Sequence, residues 1–418
     1  MMSCLTTLTR AFLTRSLRPF RFLNEYDEAI PFAESRRLGL YVHIPFCRQL
    51  CSFCPYCKEL YDEALCDAYI DCLLREIHLV CGQTQEKKQA TSLYFGGGTP
   101  ALAVQRIGEI VSALQEHFII TEGIGLELHP DNVNVETLSA LREAGVTKIS
   151  IGIQSFGDKF LGILGRKRFD PERLSAALRA VPFETVSMDF IFALPGQTAE
   201  DLKADIATAF SIGANHVAIY PFIDFAFTGS TVKPMGKQEK RRLLDDITRY
   251  CVSMEYRRES IWTFSATPGA CYSSMTRENF LGFGCSATTL LKNQFKVNTF
   301  SVAEYRRRIE SDTLPTSLTL RFTTRQRMLY YLFWTAYGTE VDPKGFEEFF
   351  GVPLNKVYGF EFWLAKRLGF ATEEHGIFRM TLKGAFYYHY YENYYTLAYI
   401  DKMWGILRRE AFPKEIVL

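Results

Sequence analysis

Long apolar runs are missing from this chain. None of its 418 residues falls in a stretch approaching the roughly 18 consecutive apolar residues that a bilayer-spanning helix needs, so no membrane span is expected. Net charge is nearly missing too, at +1 overall, and nothing in that balance points to nucleic acid or to a charged membrane surface. Acidic residues are absent from the first 22 positions, which carry Arg10, Arg15, Arg18 and Arg21 among Ser and Thr. The segment superficially resembles an organelle transit peptide, yet it reads better as a basic, loosely ordered N-terminal arm. Arg10 and Arg15 also interrupt the apolar core that a secretory signal requires. A disulfide framework is lacking as well: the eleven cysteines cluster in part, and Cys66, Cys72, Cys81, Cys251, Cys271 and Cys285 stand singly. That is the pattern of a reduced, cytoplasmic protein.

What the chain has instead is a concentration of thiols. Residues 41–57 read YVHIPFCRQLCSFCPYC and hold four of the eleven cysteines. Cys47, Cys51 and Cys54 stand at C-x3-C-x2-C spacing, directly after an apolar run that suits a buried strand ending at Pro45. A loop leaving the C-terminal end of a parallel strand is where such folds place their chemistry. Three thiolates on so short a loop can converge on one inorganic centre. Structural zinc wants a closed tetrahedral set. An iron–sulfur cluster normally takes four cysteines, although an open iron can be filled by a small molecule. Cys57 is available as a fourth thiolate, but it follows Cys54 by only three residues, with Pro55 stiffening the turn. The remaining reading is buried or spare cysteines that pack as small hydrophobes. Spacing and context favour the cluster.

From residue 39 to about 225, short β-branched runs alternate with amphipathic stretches, the signature of βα units around a parallel sheet. The expected strands are 39–46, 91–96, 124–129, 148–154, 186–194 and 216–223. The expected helices are 62–82, 102–118, 134–144, 170–180 and 198–212. Six strands and five crossovers suit a partial (β/α)6 TIM-like barrel rather than a closed one of eight. After the second strand comes Gly96-Gly97-Gly98-Thr99-Pro100. Successive glycines let backbone approach a ligand closely and leave amides free to bond it, and the segment lacks the Lys of a phosphate loop.

The C-x3-C-x2-C motif behind HIPF, followed by GGGTP, resembles the radical S-adenosylmethionine (radical SAM) superfamily. Within it, YVHIPFC…LCSFC is similar to the family of oxygen-independent coproporphyrinogen III oxidase and its relatives, which include haem chaperones and a class of radical methyltransferases. The resemblance covers roughly residues 39–305 and implies a [4Fe–4S] cluster on Cys47, Cys51 and Cys54. Its fourth iron would be chelated by S-adenosylmethionine. The cluster would reductively cleave that molecule to methionine and a 5′-deoxyadenosyl radical that abstracts hydrogen from the substrate. Gly96, Gly97, Gly98 and Thr99 would hold the methionine amino group, and Glu127 the nucleoside, although His129 stands where relatives commonly have Asn. Gln154, Arg166 and Asp189 would contact the same molecule. For Asp189 the residues give an independent reason: an acid inside an apolar strand needs a polar partner. Arg166 suits a carboxylate by bidentate geometry. Tyr41 and Arg277 are the candidate catalytic residues. Arg277, Asn279 and LGFGCSA stand where the oxidase helps to hold a second S-adenosylmethionine.

Residues 226–305 are expected to form a barrel extension carrying that second-cofactor or substrate region. Residues 306–418 should form a separate, mainly helical domain with a winged-helix look. Helical patterns at 301–312, 323–336, 343–350 and 354–368 lead to a two-strand wing, GFATEEHGIFRMT, and a long helix from near Leu382. Helix 354–368 lacks the basic footprint of a DNA reader, so packing over the barrel mouth is the expectation. In the aromatic tract YYHYYENYY, periodicity puts about half of the rings in the core, the rest being available to wall a large flat pocket.

The implied function is a coproporphyrinogen III oxidase-like oxidoreductase of porphyrin or haem metabolism. Its substrate would be large and aromatic, a tetrapyrrole or quinone-like molecule, and its electron donor a flavodoxin or ferredoxin. The alternatives are a radical SAM methyltransferase using two S-adenosylmethionine molecules and a non-catalytic haem chaperone. Tyr56 stands where the oxidase commonly has a further cysteine.

Overall fold

The computed structural model describes residues 4–25, 29–82, 86–267 and 278–418. Six parallel strands, Leu38–Ile44, Lys88–Gly97, Ile124–Leu128, Lys148–Gln154, Thr185–Phe192 and His216–Pro221, lie side by side in sequence order. Helices Glu63–Cys81, Val104–His117, Val135–Glu143, Pro171–Ala180 and Ala199–Ser211 connect them and cover the outer face. Local chemistry sets where these helices begin. Asp62 accepts from the Leu65 amide, and Thr198 and Asp201 form a reciprocal capping box. The fold is mixed α/β around a central parallel sheet, with a helical C-terminal part.

The barrel stays open. The sixth strand pairs on its far side with Thr263–Ser265, antiparallel, and the first strand pairs with Asn279–Phe283, parallel. This seventh parallel strand was not expected from the sequence. The sheet then continues antiparallel through Thr288–Leu290, Gln294–Asn298 and Thr316–Arg321.

Two expectations need correction here. The N-terminal arm is ordered: Cys4–Thr14 is a helix, and Arg21–Leu23 is a strand inserted between Thr316–Arg321 and Glu415–Val417. Arg10, buried, donates to the Leu418 carbonyl at 2.7 Å. The C-terminal region is likewise not a separate body, because two of its strands complete the main sheet and Tyr399, Met403 and Leu407 enter the main core.

A second, smaller core of Met328, Tyr331, Val341, Phe346, Leu354 and Tyr358 joins helices Thr324–Tyr337, Pro343–Phe350 and Leu354–Arg367. A three-stranded sheet, Glu340–Val341 with Ile377–Met380 and Ala371–Glu374, forms the wing. In the tract 387–395 only His389 is buried, packed edge-on to Trp262 with ring centroids 4.5 Å apart, whereas every tyrosine keeps some exposure. Tyr388 and Tyr395 are packed against the main core, so with His389 about half of those rings belong to it, as expected. Among the described residues, no helix is long and apolar enough to cross a membrane.

Candidate active site

Alternation along the strands sorts their side chains into two sets. In Leu38–Ile44, Leu40, Val42 and Ile44 point to the covering helices, and Tyr41 and His43 point inward. Strand register carries that inward face around the barrel, through Tyr41 beside Tyr94, Glu127 beside Ser150, Ser150 beside Ser187, and Ser187 beside His216. Gly96, Gly125, Gly152 and Ala218 share it. A closed barrel fills its interior with layers of branched side chains, and these small and polar residues cannot. A recess results, open toward the C-terminal ends of the strands. There Tyr56 and Tyr220 remain 53% and 44% accessible. Even so, protein crowds both hydroxyls enough to push their pKa upward, by burial first and then by Glu127 and Asp189 among other neighbours.

The cysteine loop closes over one side of this recess. Among the described cysteines, Cys47, Cys51 and Cys54 are partly exposed, while Cys57, Cys66, Cys72, Cys81, Cys251 and Cys285 are buried. Main-chain bonds root the loop: Glu59 N donates to Pro45 O at 2.7 Å, and Tyr61 N to Cys47 O at 2.9 Å. Lys58 donates to the carbonyls of Cys51 and Cys54, and Arg408 to that of Pro55. Burial pushes the Cys47 thiol up to about 11, with Cys54 adding to the rise, and burial also raises Cys54 against the opposing pull of Lys58.

These three thiols fit an iron–sulfur cluster. They are partly exposed, Cys51 lies close enough to add to the raised pKa of Cys47 and of Cys54, and Cys51 and Cys54 border a cavity of about 240 Å³ with Lys58, Phe227 and Arg408. Among the described residues, no three His, Cys, Asp or Glu side chains converge as the ligands of a single ion. Cys57 turns away from the loop, its sulfur 3.3 Å from that of Cys285 and 3.2 Å from the Phe300 carbonyl.

The glycine segment serves the loop in a way the sequence did not suggest. Its amides are not free for a ligand: Gly97 N donates to Glu127 Oε2 at 3.2 Å, Gly98 N to Ile44 O at 2.8 Å and Thr99 N to Phe46 O at 2.8 Å. A Cβ on Gly98 would sit 2.6 Å from Phe46 O and 2.7 Å from Pro45. Gly97, at φ +122°, would meet Ile44 O at 2.8 Å. These glycines therefore permit backbone to pack on backbone at the root of the cysteine loop, and the Thr99 hydroxyl lies 3.9 Å from the Cys47 sulfur.

Most of the other candidates gather at the recess. Glu127 accepts from the Tyr94 hydroxyl at 2.9 Å, and burial raises its pKa. Asp189 receives the Ser150 hydroxyl at 2.8 Å, with Ser187 at 3.3 Å. Burial still pushes it up to about 7, and Glu127 adds to the rise. Its partners are thus supplied by the protein as well as by any ligand. Gln154 ends its strand at φ +69°. Arg166 donates to Gly152 O at 3.0 Å, with its other terminal nitrogen 3.9 Å from the Cys51 sulfur. The Tyr41 hydroxyl bonds His43 Nδ1 at 3.0 Å, and the ring stacks on Tyr94. His43 Nε2 lies 3.1 Å from the Cys57 carbonyl, which only accepts, so Nε2 carries the proton and Tyr41 donates to Nδ1.

Asn279 is not at the recess. It pairs with Leu38, at the opposite end of the first strand from Cys47, and is buried with its amide donating to Arg36 O at 2.8 Å. Its assignment as a cofactor-binding residue is corrected accordingly. Arg277 lies outside the described residues. Sequence reasoning missed Tyr94, Tyr220, Lys58, Trp404 and Arg408. The one available signal was the row of small and polar residues at every second position of the strands.

A family model described as the radical SAM superfamily matches residues 41–209. The haem chaperone HemW of Bacillus subtilis (strain 168) is 27% identical over 336 residues, covering 76% of this chain and 88% of that protein. The HemW of Lactococcus lactis is 32% identical over 188 residues, covering 44% of this chain, so there the chain spans about half, 48%, of its relative's length. The oxygen-independent coproporphyrinogen III oxidase of Cereibacter sphaeroides (strain ATCC 17025) is 27% identical over 317 residues, 69% of each chain. In fold, the structure of coproporphyrinogen III oxidase (HemN) from Escherichia coli superposes with a TM-score of 0.72 at 21% identity, covering 89% of this chain and 93% of that one.

Barrel, cysteine loop and family match together mark residues 41–209 as a radical SAM region, and a [4Fe–4S] cluster and S-adenosylmethionine are the cofactors that this match implies. Beyond that region the chain is similar to proteins named HemW and coproporphyrinogen III oxidase, and it shares the fold of HemN.

Proposed function

We propose that this protein is a radical SAM oxidoreductase of the coproporphyrinogen III oxidase type, acting on a tetrapyrrole. The observation that carries this reading is the inward face of the barrel, where the accessible rings of Tyr56 and Tyr220 lie close enough to feel Glu127 and Asp189, with Tyr41 stacked on Tyr94 and three partly exposed thiols on the cysteine loop. Aromatic walls with a few polar groups suit a large flat ligand.

Cys47, Cys51 and Cys54 would hold the cluster. When bound, it and S-adenosylmethionine supply a one-electron cleavage to methionine and a hydrogen-abstracting 5′-deoxyadenosyl radical. Arg166 would take the cofactor carboxylate, and Glu127, Gln154 and Asp189 its polar groups. Tyr41, fixed as a donor to His43, would border the reacting centre. Tyr56 and Trp404, with ring centroids 5.9 Å apart, would shield the cysteine loop from water on the C-terminal side.

The haem chaperone is the second reading, supported by the relatives so named. Against it, His43, the histidine beside the cysteine loop, already bonds through both ring nitrogens and would have to give up one of those bonds to serve as an axial ligand. The placement of Asn279 removes one support for a second S-adenosylmethionine, which oxidase and methyl transfer would share, and so does not separate those two readings.

The test is anaerobic reconstitution followed by addition of S-adenosylmethionine, reductant and coproporphyrinogen III. Release of 5′-deoxyadenosine together with a decarboxylated tetrapyrrole, identified by mass, is the expected result. Stoichiometric haem binding without substrate-dependent turnover would overturn it.

A further inference from the structure

Cys57 and Cys285 are buried, and their sulfurs lie 3.3 Å apart, although 228 positions of sequence separate them. The approach is built into the scaffold. The Tyr69 hydroxyl donates to His43 O at 2.7 Å and accepts from the Cys285 amide at 2.8 Å, clamping the turn that carries Cys285 onto the end of the first strand. Glu76, also buried, accepts from the Gly284 amide at 2.7 Å and anchors the same turn from the other side. Gly284 sits at φ +97°, where a Cβ would fall 2.5 Å from the Tyr69 hydroxyl and 2.6 Å from His43 O. The turn therefore has little freedom to carry its thiol elsewhere. Arg408 borders the cavity beside Cys54 and interacts electrostatically with Cys57 and Cys285.

We propose that Cys57 and Cys285 form a reversible dithiol–disulfide pair, oxidised by hydrogen peroxide or another small hydroperoxide that enters through this cavity. One thiol attacks a peroxide oxygen, the O–O bond breaks and water leaves. The second thiol then displaces the sulfenic hydroxyl as a second water, so two thiols and one peroxide give one disulfide and two waters. Closing the bond requires the sulfurs to move from 3.3 Å to about 2.05 Å. That shift draws on Cys57, whose carbonyl holds His43, which in turn holds Tyr41. Oxidation should therefore disturb the inward face of the first strand and depress S-adenosylmethionine cleavage. This consequence rests on the function proposed above; the cross-link itself does not.

The reconstituted protein is treated anaerobically with one equivalent of hydrogen peroxide, alkylated, and digested for mass spectrometry, with turnover measured in parallel. The expected result is a peptide pair joined through Cys57 and Cys285, lost on dithiothreitol treatment. Most of the turnover should be lost as the cross-link forms and regained when dithiothreitol removes it. Cys285→Ser and, independently, Cys57→Ser should lack both the cross-link and the reversible part of the loss. If either variant fails to fold, the wild-type peptide map still decides. Full alkylation of both thiols in peroxide-treated wild type, or disulfides confined to Cys47, Cys51 and Cys54, overturns the pair. A cross-link without any change in turnover overturns its coupling to the site.

Discussion

The Gly98 amide donates to the Ile44 carbonyl at 2.8 Å, fixing the glycine segment to the strand end from which the cysteine loop departs. Because a Cβ on Gly98 would press on main-chain atoms of Pro45 and Phe46, no side-chain rotation can relieve the clash. Gly98→Val should therefore lower cluster content as well as S-adenosylmethionine cleavage, and Gly98→Ala should do so to a lesser degree. Iron and sulfide analysis after anaerobic reconstitution checks this. A Gly98→Val protein with full iron content would show that the segment acts on the cofactor alone.

Cys47, Cys51 and Cys54 are the partly exposed cysteines of the loop, whereas Cys57 is turned into the core. Replacing any one of the first three by Ala should abolish the four-iron complement, since each is expected to supply a thiolate that no neighbour can replace. Cys57→Ala should keep it under anaerobic conditions. Iron quantification with electron paramagnetic resonance of the reduced protein separates the two outcomes. A full complement in Cys54→Ala would refute this ligand set.

Arg166 bridges the fourth strand and the cysteine loop, resting on Gly152 O and close to the Cys51 sulfur. If it binds the cofactor carboxylate, Arg166→Ala should weaken S-adenosylmethionine binding by about 1.5–3 kcal/mol, more than tenfold. Arg166→Lys should recover only part, because it lacks the bidentate fork. Equilibrium binding to the reconstituted, unreduced protein measures this without relying on turnover. Wild-type affinity in Arg166→Ala would remove Arg166 from the site.

The six barrel strands could be read from sequence because each is local: a short apolar run, bounded by turn residues and followed by an amphipathic helix. The cysteine loop was visible for the same reason, through spacing alone. Contacts between distant segments were not. Arg21 pairs with Val417 and Asn279 with Leu38, so neither the ordered N-terminal segment nor the seventh parallel strand leaves a local signature. The recess was hidden differently, since it depends on Gly125, Ser150, Gly152, Ser187 and Ala218 all facing inward from neighbouring strands. The glycine segment misled because free amides and amides spent on neighbouring backbone look identical in a sequence.

Glu76 gives a stability test that needs no cofactor. It is 2% exposed and accepts bonds from Gly284 N, Asn298 Nδ2 and the Tyr305 hydroxyl. Burial nevertheless pushes its carboxyl up to about 7 from an ordinary 4.5. The folded chain therefore keeps a proton that the unfolded chain has already lost, and rising pH across that window favours unfolding. The contribution is absent well below pH 4.5 and complete above pH 7, at about 3 kcal/mol from the size of the shift. Asp189 and Asp205, pushed up to about 7 and about 6, slope the same way in any variant that retains them. The comparison must therefore be differential. Relative to Glu76→Gln, the wild-type protein should lose stability between pH 5 and pH 8, measured as the midpoint of urea unfolding under anaerobic, reducing conditions. Parallel curves for the two proteins would mean that Glu76 stays ionised in the folded state throughout, and that its three donors outweigh its burial.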